Sequence, residues 1–279
     1  MNAKAKLFSY NTVDTPIHRL SGLTKLICFL LLTFAVMFSY DIRVILAVMI
    51  FSIAVLRLSK IQYSQIRLMI IYVFIFVFTN AVISFFFSPE QGVEIYGTRH
   101  DIVNLYGEYK LTWEQIFYQV TKFFKYFSVI PLGIIFLLTT NPSEFASSLN
   151  GIGANYKAAF AVALTLRYFP DIQRDYRDIS QAQQARGLEL SRKAKFTDRF
   201  KNSLLIVIPL IFSSLDRVEL ISNAMDLRRF GKSKTRTWYS SKRFTSADYT
   251  ALAISALIFI ITVYVSVFIN RSRFYNPFI

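Results

Sequence analysis

The residues of this 279-residue chain best placed to do chemistry are arginines in two short words of similar design. The first is Gln183-Gln184-Ala185-Arg186-Gly187, and the second is Ala224-Met225-Asp226-Leu227-Arg228-Arg229-Phe230-Gly231. Each stands at the end of a helical pattern and closes on a glycine. A helix carboxyl end has free carbonyls and partial negative charge. Gly187 and Gly231 are suited to the left-handed conformation that terminates a helix. Arg186 and Arg228 then project from helix tips, where a guanidinium can enter a groove and fork onto a carboxylate. One such word alone also fits an ordinary helix end with a cation favourable to the dipole. Two of them, with arginines 42 positions apart, suggest a pair of plugs for two equivalent sockets. Ala185, Gly187, Leu227 and Arg229 complete the two words.

Other chemistries fail on spacing. Gly231-Lys232-Ser233 would need a glycine where Asp226 stands, and a preceding strand, to be the phosphate loop of a nucleotide-binding site. Gly151-Ile152-Gly153 lacks the third glycine of a dinucleotide loop, because Tyr156 occupies that place. His18 and His100 have no partner in sequence and no metal-ligand spacing. The single cysteine, Cys28, cannot form an intrachain disulfide. No catalytic group, cofactor or metal is expected. The run from Arg228 to Arg236 can serve as a solvated face or as an anionic-lipid anchor, at about 1 kcal/mol per cation.

The elements that hold these words are those of a membrane protein. The chain is 54% hydrophobic with mean hydropathy +0.40, yet carries a net charge of +15. A soluble domain usually has about 45–50% apolar residues. A basic, apolar chain is a membrane protein with one positive face or a greasy nucleic-acid binder, and long apolar runs favour the membrane. Nucleic acid is therefore not an expected partner. Apolar runs cover Leu23–Tyr40, Ile42–Leu56, Leu68–Phe87, Trp113–Thr140 and Tyr249–Ile269. The first begins too late for a cleavable signal, and Pro131 should kink the fourth. Residues 88–112 read as an acidic, glycine-broken loop, with a short hairpin as an option. Residues 140–247 form an insert with 18 Lys and Arg against 9 Asp and Glu. The positive-inside tendency puts this insert, the segment 57–67 and the N-terminus in the cytoplasm, and 88–112 outside. Arg271 and Arg273 mildly disagree.

The insert holds two long helical patterns. One opens at Ser143, turns at Gly151 and Gly153 and runs to about Leu190; the other starts near a Thr197-Asp198 cap and runs to about Phe230. Their apolar stretches, Ala158–Leu166 and Leu204–Phe212, are nine residues each. Nine helical residues span about 13 Å, short of a hydrocarbon core of roughly 30 Å. The expected architecture is thus an all-α integral membrane protein with about five transmembrane helices plus two long cytoplasmic coupling helices. A seven-span variant, with these two as a membrane hairpin, leaves the remaining topology unchanged. The expected divisions are 1–140 with helices one to four, 141–247 with both arginine words, and 248–279 with the last span and tail.

The chain resembles the T component, the transmembrane coupling protein, of energy-coupling factor (ECF) transporters. The resemblance rests on Leu166-Arg167-Tyr168-Phe169-Pro170, on Gln181 to Gly187, on Ala224 to Gly231 with Arg236-Thr237, and on Asp248-Tyr249. His18-Arg19-Leu20 through Thr24-Lys25 is similar to the family's lead into its first span. Two departures stand out. The second word usually reads Ala-Arg-Gly and here reads Leu227-Arg228-Arg229, leaving two adjacent arginines as candidates for one socket. The usual Asp-Pro-Arg near the N-terminus is here Ser21-Gly22-Leu23.

The resemblance implies a multi-pass protein of a bacterial or archaeal plasma membrane that has no catalytic site. Its partners would be two ABC-type ATPases, docked on Arg186 and Arg228 or Arg229, a membrane-embedded substrate-binding S component, and the lipid bilayer. It implies uptake of a micronutrient, a vitamin or metal ion. The stripe Ala158, Ala159, Ala161 and Ala163 would permit close crossing of the coupling helices, or simply pack. Two rivals remain at this point: a self-contained carrier or channel without ATPase partners, and a membrane-anchored structural or lipid-binding protein.

Overall fold

The computed structural model describes residues 15–61, 63–106, 109–188, 196–233, 237–239 and 241–278. Residues 107 and 108 of the loop 88–112, and Leu190 and Arg236, lie outside them. Among the described residues the chain is almost entirely helical. The elements are α1 (Pro16–Arg19), α2 (Gly22–Phe38), α3 (Ile42–Leu58), α4 (Tyr63–Phe87), α5 (Gln91–Tyr96), β1 (Asp101–Tyr106), β2 (Tyr109–Thr112), α6 (Trp113–Thr139), α7 (Pro142–Gly151), α8 (Tyr156–Ala185), α9 (Phe196–Leu227) and α10 (Ser246–Tyr264), the last extended by a π-helical turn at Val265–Ile269. They fall into two compact units, one of Met1–Asn141 with Lys242–Ile279, the other Pro142–Ser241.

The chain is an all-α membrane protein. Ile66–Phe87, Trp113–Thr139 and Ser246–Ile269 are each long and apolar enough to cross a membrane, and Gly22–Phe38 is a shorter apolar helix of 17 residues. α3 is also 17 residues long and has Arg43 and Arg57 near its two ends. α6 runs unbroken through Pro131, which is buried. The loop 88–112 does contain a hairpin: β1 and β2 pair antiparallel, following the one-and-a-half turns of α5. α9 begins at Phe196, so Thr197 and Asp198 fall in its first turn rather than at its cap.

In the first unit, the helix ends are tied by buried charged groups. Asp248 is fully buried and serves two helix starts together. It accepts from the Thr245 backbone N–H at 2.8 Å, completing the capping box of α10, and from the Ser21 N–H at 2.8 Å, at the N-cap of α2. Lysines cap the opposite ends. Lys25, on α2, donates to the Thr139 carbonyl at the last residue of α6, at 2.7 Å. Lys125, on α6, donates to the Met37 carbonyl in the last turn of α2, also at 2.7 Å. α2 and α6 therefore run antiparallel, and each contributes the cation that satisfies the other's terminal carbonyl. Such carbonyls have no intrahelical partner, and none is supplied by lipid. Lys125 also lies 3.2 Å over the Tyr40 ring.

Asp41, between α2 and α3, caps α3 through the Arg43 N–H at 2.9 Å. Its carboxylate is fully buried and also takes the Arg43 guanidinium at 2.8 Å and the Asn270 amide at 2.9 Å. The tail beyond α10 returns across this end. Phe274 stacks on Tyr40 with ring centroids 4.6 Å apart, and Asn276 donates to the Tyr96 carbonyl at 3.0 Å.

Replacing Lys125 with Met should leave the Met37 carbonyl buried and unpaired. A loss of about 1–3 kcal/mol is expected in detergent unfolding, with much less for the same change at Lys122. Asp41 adds a pH test. Burial alone raises its carboxyl pKa, but the hydrogen bonds and charge of Arg43, with Asn270, outweigh that and hold it below the ordinary carboxylate value. Its stabilising contribution is then complete above that ordinary value and is lost as pH falls through the lower folded-state value. Asp41→Asn should be less stable at neutral pH and show a shallower loss of melting temperature on acidification below about pH 4.

Candidate functional site

Both arginine words end their helices by the same hydrogen-bond pattern. At the end of α8, Gly187 adopts φ 89° and donates to the Gln184 carbonyl at 3.0 Å, while Leu188 reaches back to the Gln183 carbonyl at 3.1 Å. At the end of α9, Arg229 adopts φ 53° and donates to the Asp226 carbonyl at 2.9 Å, while Phe230 reaches the Met225 carbonyl at 3.0 Å. Each is a Schellman motif, with a left-handed residue closing the helix and an apolar residue after it. Superposing the two patterns puts Arg186 and Arg228 at the same capping position, and Arg229 where the first tip has Gly187.

This corrects one expectation. Gly231 is left-handed at φ 92°, but the residue that stops α9 is Arg229, two positions earlier. α9 accordingly ends at Leu227 instead of near Phe230, and α8 at Ala185 instead of near Leu190. A non-glycine residue held left-handed costs on the order of 1 kcal/mol or more.

The two words are presented to solvent. Ala185, Arg186, Gly187, Arg228 and Arg229 are exposed, and Leu227 is 87% exposed. None of the three arginines forms an ion pair with a described residue. Guanidinium groups so displayed have their full donor forks available.

The tips are positioned by contacts between α8 and α9. Arg217 on α9 donates to Asp175 on α8 at 2.6 Å and lies 6.0 Å from the Tyr168 ring. Phe230, just past the second tip, packs against Phe160 and Tyr156 near the start of α8, with centroids 4.6 and 5.7 Å away. The pairs 175–217 and 160–230 make the hairpin antiparallel. The tips thus occupy opposite ends of α8, whose 30 residues rise about 45 Å at 1.5 Å each. Of the alanine stripe, Ala159 is buried, Ala163 is half-buried, and Ala158 and Ala161 are exposed.

The Asp175–Arg217 clasp and the Phe230 anchor were not foreseen from sequence. The apolar Leu188 and Phe230, each two residues after a capping arginine, are the signal that could have located the helix stops.

Several apolar, membrane-length helices in an almost entirely helical chain define an integral membrane protein, and its two matched cationic helix tips stand exposed. Residues 14–239 match the family described as "CbiQ: Cobalt transport protein", and the chain belongs to that family. The family is one of transport components, not of enzymes. Relatives bearing the name energy-coupling factor transporter transmembrane protein EcfT are similar to it. The Listeria innocua protein is 30% identical over 144 residues, 49% of this chain and 54% of that protein, so that alignment spans about half of the relative. The Lactococcus lactis protein is 26% identical over 254 residues, covering 88% of this chain and 91% of its own. The Streptococcus thermophilus protein is 24% identical over 261 residues, covering 89% and 94%.

Asp175→Arg or Arg217→Asp alone should weaken the α8–α9 hairpin, and the double exchange should recover most of the loss. Because both side chains are about one-third exposed, at 27% and 31%, a coupling of no more than about 1 kcal/mol is expected in a double-mutant cycle on thermal unfolding.

Proposed function

We propose that this protein is the transmembrane coupling subunit of an ECF-type importer. It would join two ABC-type ATPases to a membrane-embedded S component that captures a micronutrient, a vitamin or metal ion. The observation that carries this reading is the matched pair of exposed capping arginines, Arg186 and Arg228, at opposite ends of one helical hairpin. Two equivalent plugs at a fixed separation suit two copies of one kind of socket. The EcfT names of its relatives, and a family named for cobalt transport, support the same assignment.

In this mechanism the N-terminus and the unit Pro142–Ser241 face the cytoplasm. Each capping guanidinium enters a groove of one ATPase and forks onto acidic residues there. ATP-driven closure of the ATPase pair moves the two tips, and α8 and α9 pass that motion to the S component. Hydrolysis belongs to the ATPases, and substrate choice to the S component. Arg228 is the guanidinium we assign to the second socket, since it shares Arg186's place in the cap. Arg229 shapes the turn that aims it.

Uptake measured in cells and ATPase co-purification in mild detergent test the assignment together. Arg186→Glu and Arg228→Glu should each abolish uptake and detach the ATPases, a loss of about 2–5 kcal/mol in docking, while the protein still reaches the membrane. Arg229→Gly should keep uptake and raise stability. Normal transport by both charge reversals would sink the plug assignment. Loss of transport in Arg229→Gly, with Arg228→Glu tolerated, would move the docking role to Arg229.

A further inference from the structure

We propose that a cleft at the amino end of α8 binds the phosphate of an anionic phospholipid head group. The cleft, about 520 Å³, lies between the start of α8 and the turn that follows α9, and its lining includes Asn150, Tyr156, Lys157, Gly231, Lys232 and Ser233. It holds two lysines and no acidic residue. The first turn of α8 contributes no carboxylate either, so the partial positive charge of a 30-residue helix faces the cleft unneutralised.

The geometry is built around Lys157. Gly231 is left-handed, and a Cβ added there would sit 3.5 Å from both Cε and Nζ of Lys157. The lysine amine is therefore laid across the glycine turn, and Lys232 and Ser233 line the same cleft. A separate observation points to a missing acceptor. Tyr156 lines the same cleft and is only 7% exposed, yet its hydroxyl is buried with no hydrogen-bond partner among the described residues. A buried hydroxyl without a partner costs about 1–3 kcal/mol. A phosphate oxygen would supply what it lacks, as well as the counter-charge for both lysines.

Its surroundings favour a lipid over a soluble anion. Trp238 donates from Nε1 to the Asn150 side chain at 3.0 Å, and its neighbour Tyr239 is fully exposed. Trp and Tyr with a wet polar end are the residues that settle at membrane–water interfaces. In sequence, Asn150 follows the end of α6 at Thr139 by 11 residues, and Ser233 precedes the start of α10 at Ser246 by 13. The cleft is thus made from the parts of the insert nearest in sequence to the two spans that flank it.

The test uses the purified full chain in detergent, titrated with phosphatidylglycerol, phosphatidylcholine or inorganic phosphate. Bound lipid is read by native mass spectrometry and stability by melting temperature. Phosphatidylglycerol should bind and raise the melting temperature, and phosphatidylcholine should do neither. Lys157→Gln/Lys232→Gln should weaken phosphatidylglycerol binding roughly tenfold or more. Lys201→Gln/Arg243→Gln removes the same charge elsewhere and should leave the affinity unchanged. Tyr156→Phe should melt no lower than the parent without lipid, yet bind phosphatidylglycerol more weakly. Equal lipid binding by the Lys157/Lys232 variant and the parent would overturn the site. So would an equal loss in the Lys201/Arg243 control, which would mean diffuse attraction. Displacement of the lipid by millimolar inorganic phosphate would overturn the lipid assignment in favour of a soluble anion.

Discussion

A membrane-spanning helix satisfies its own backbone everywhere except at its ends, and the first unit of this protein is organised by that exception. Lipid offers terminal carbonyls and amides no partner, so each unmet group costs several kcal/mol. Here the partners are side chains of neighbouring helices. Lys25 and Lys125 exchange caps between α2 and α6, and Asp248 holds the starts of α2 and α10 at once. Asp41 binds the start of α3 to Asn270 beyond α10. The same bonds that complete each helix also fix its register against the next. Sliding α2 along α6 by one turn would strand both lysines and both carbonyls together.

The second unit obeys a different rule. α8 and α9 leave many large apolar side chains uncovered, among them Phe200 and Phe212, each 63% exposed, and Val218 at 62%. The hairpin is held by a few specific contacts instead: the Asp175–Arg217 bond and the Phe230 anchor. Its helix ends are closed by their own backbone, through two Schellman turns, and their arginines form no ion pair with a described residue. The first unit buries its charges at helix ends. The second keeps the arginines of its helix tips outward, which suits the docking role proposed for Arg186 and Arg228.

Much of this was legible in the sequence because it depends on local pattern. The limits of α2, α4, α6 and α10 follow apolar runs to within a few residues, apart from the start of α4, and the glycine-broken loop before Trp113 does contain a hairpin. The interactions between segments were not legible. Lys25 and Thr139 are 114 positions apart, and in sequence Lys125, with Lys122, only makes the start of the fourth apolar run amphipathic. No periodicity links such residues, since their pairing is decided by which helices become neighbours. The second tip failed for a subtler reason. Propensity favours the glycine at 231 as the left-handed residue, but the apolar Phe230 found its place against Phe160 and Tyr156, and that packing pulls the helix stop forward onto Arg229.

The antiparallel hairpin makes α8 a measuring rod. One arginine tip caps its carboxyl end, while the residue following the other is seated at its amino end. The spacing between the tips is therefore counted in residues of a single helix. Each inserted residue would lengthen the rod by about 1.5 Å and turn Arg186 by about 100° around its axis. Among short changes, seven or eleven residues come near whole numbers of turns and would restore its heading to within about 20°, at an added length of about 10.5 or 16.5 Å. The length of α8 and the direction of its arginine are thus locked together, so this helix can tolerate substitution far more readily than insertion or deletion.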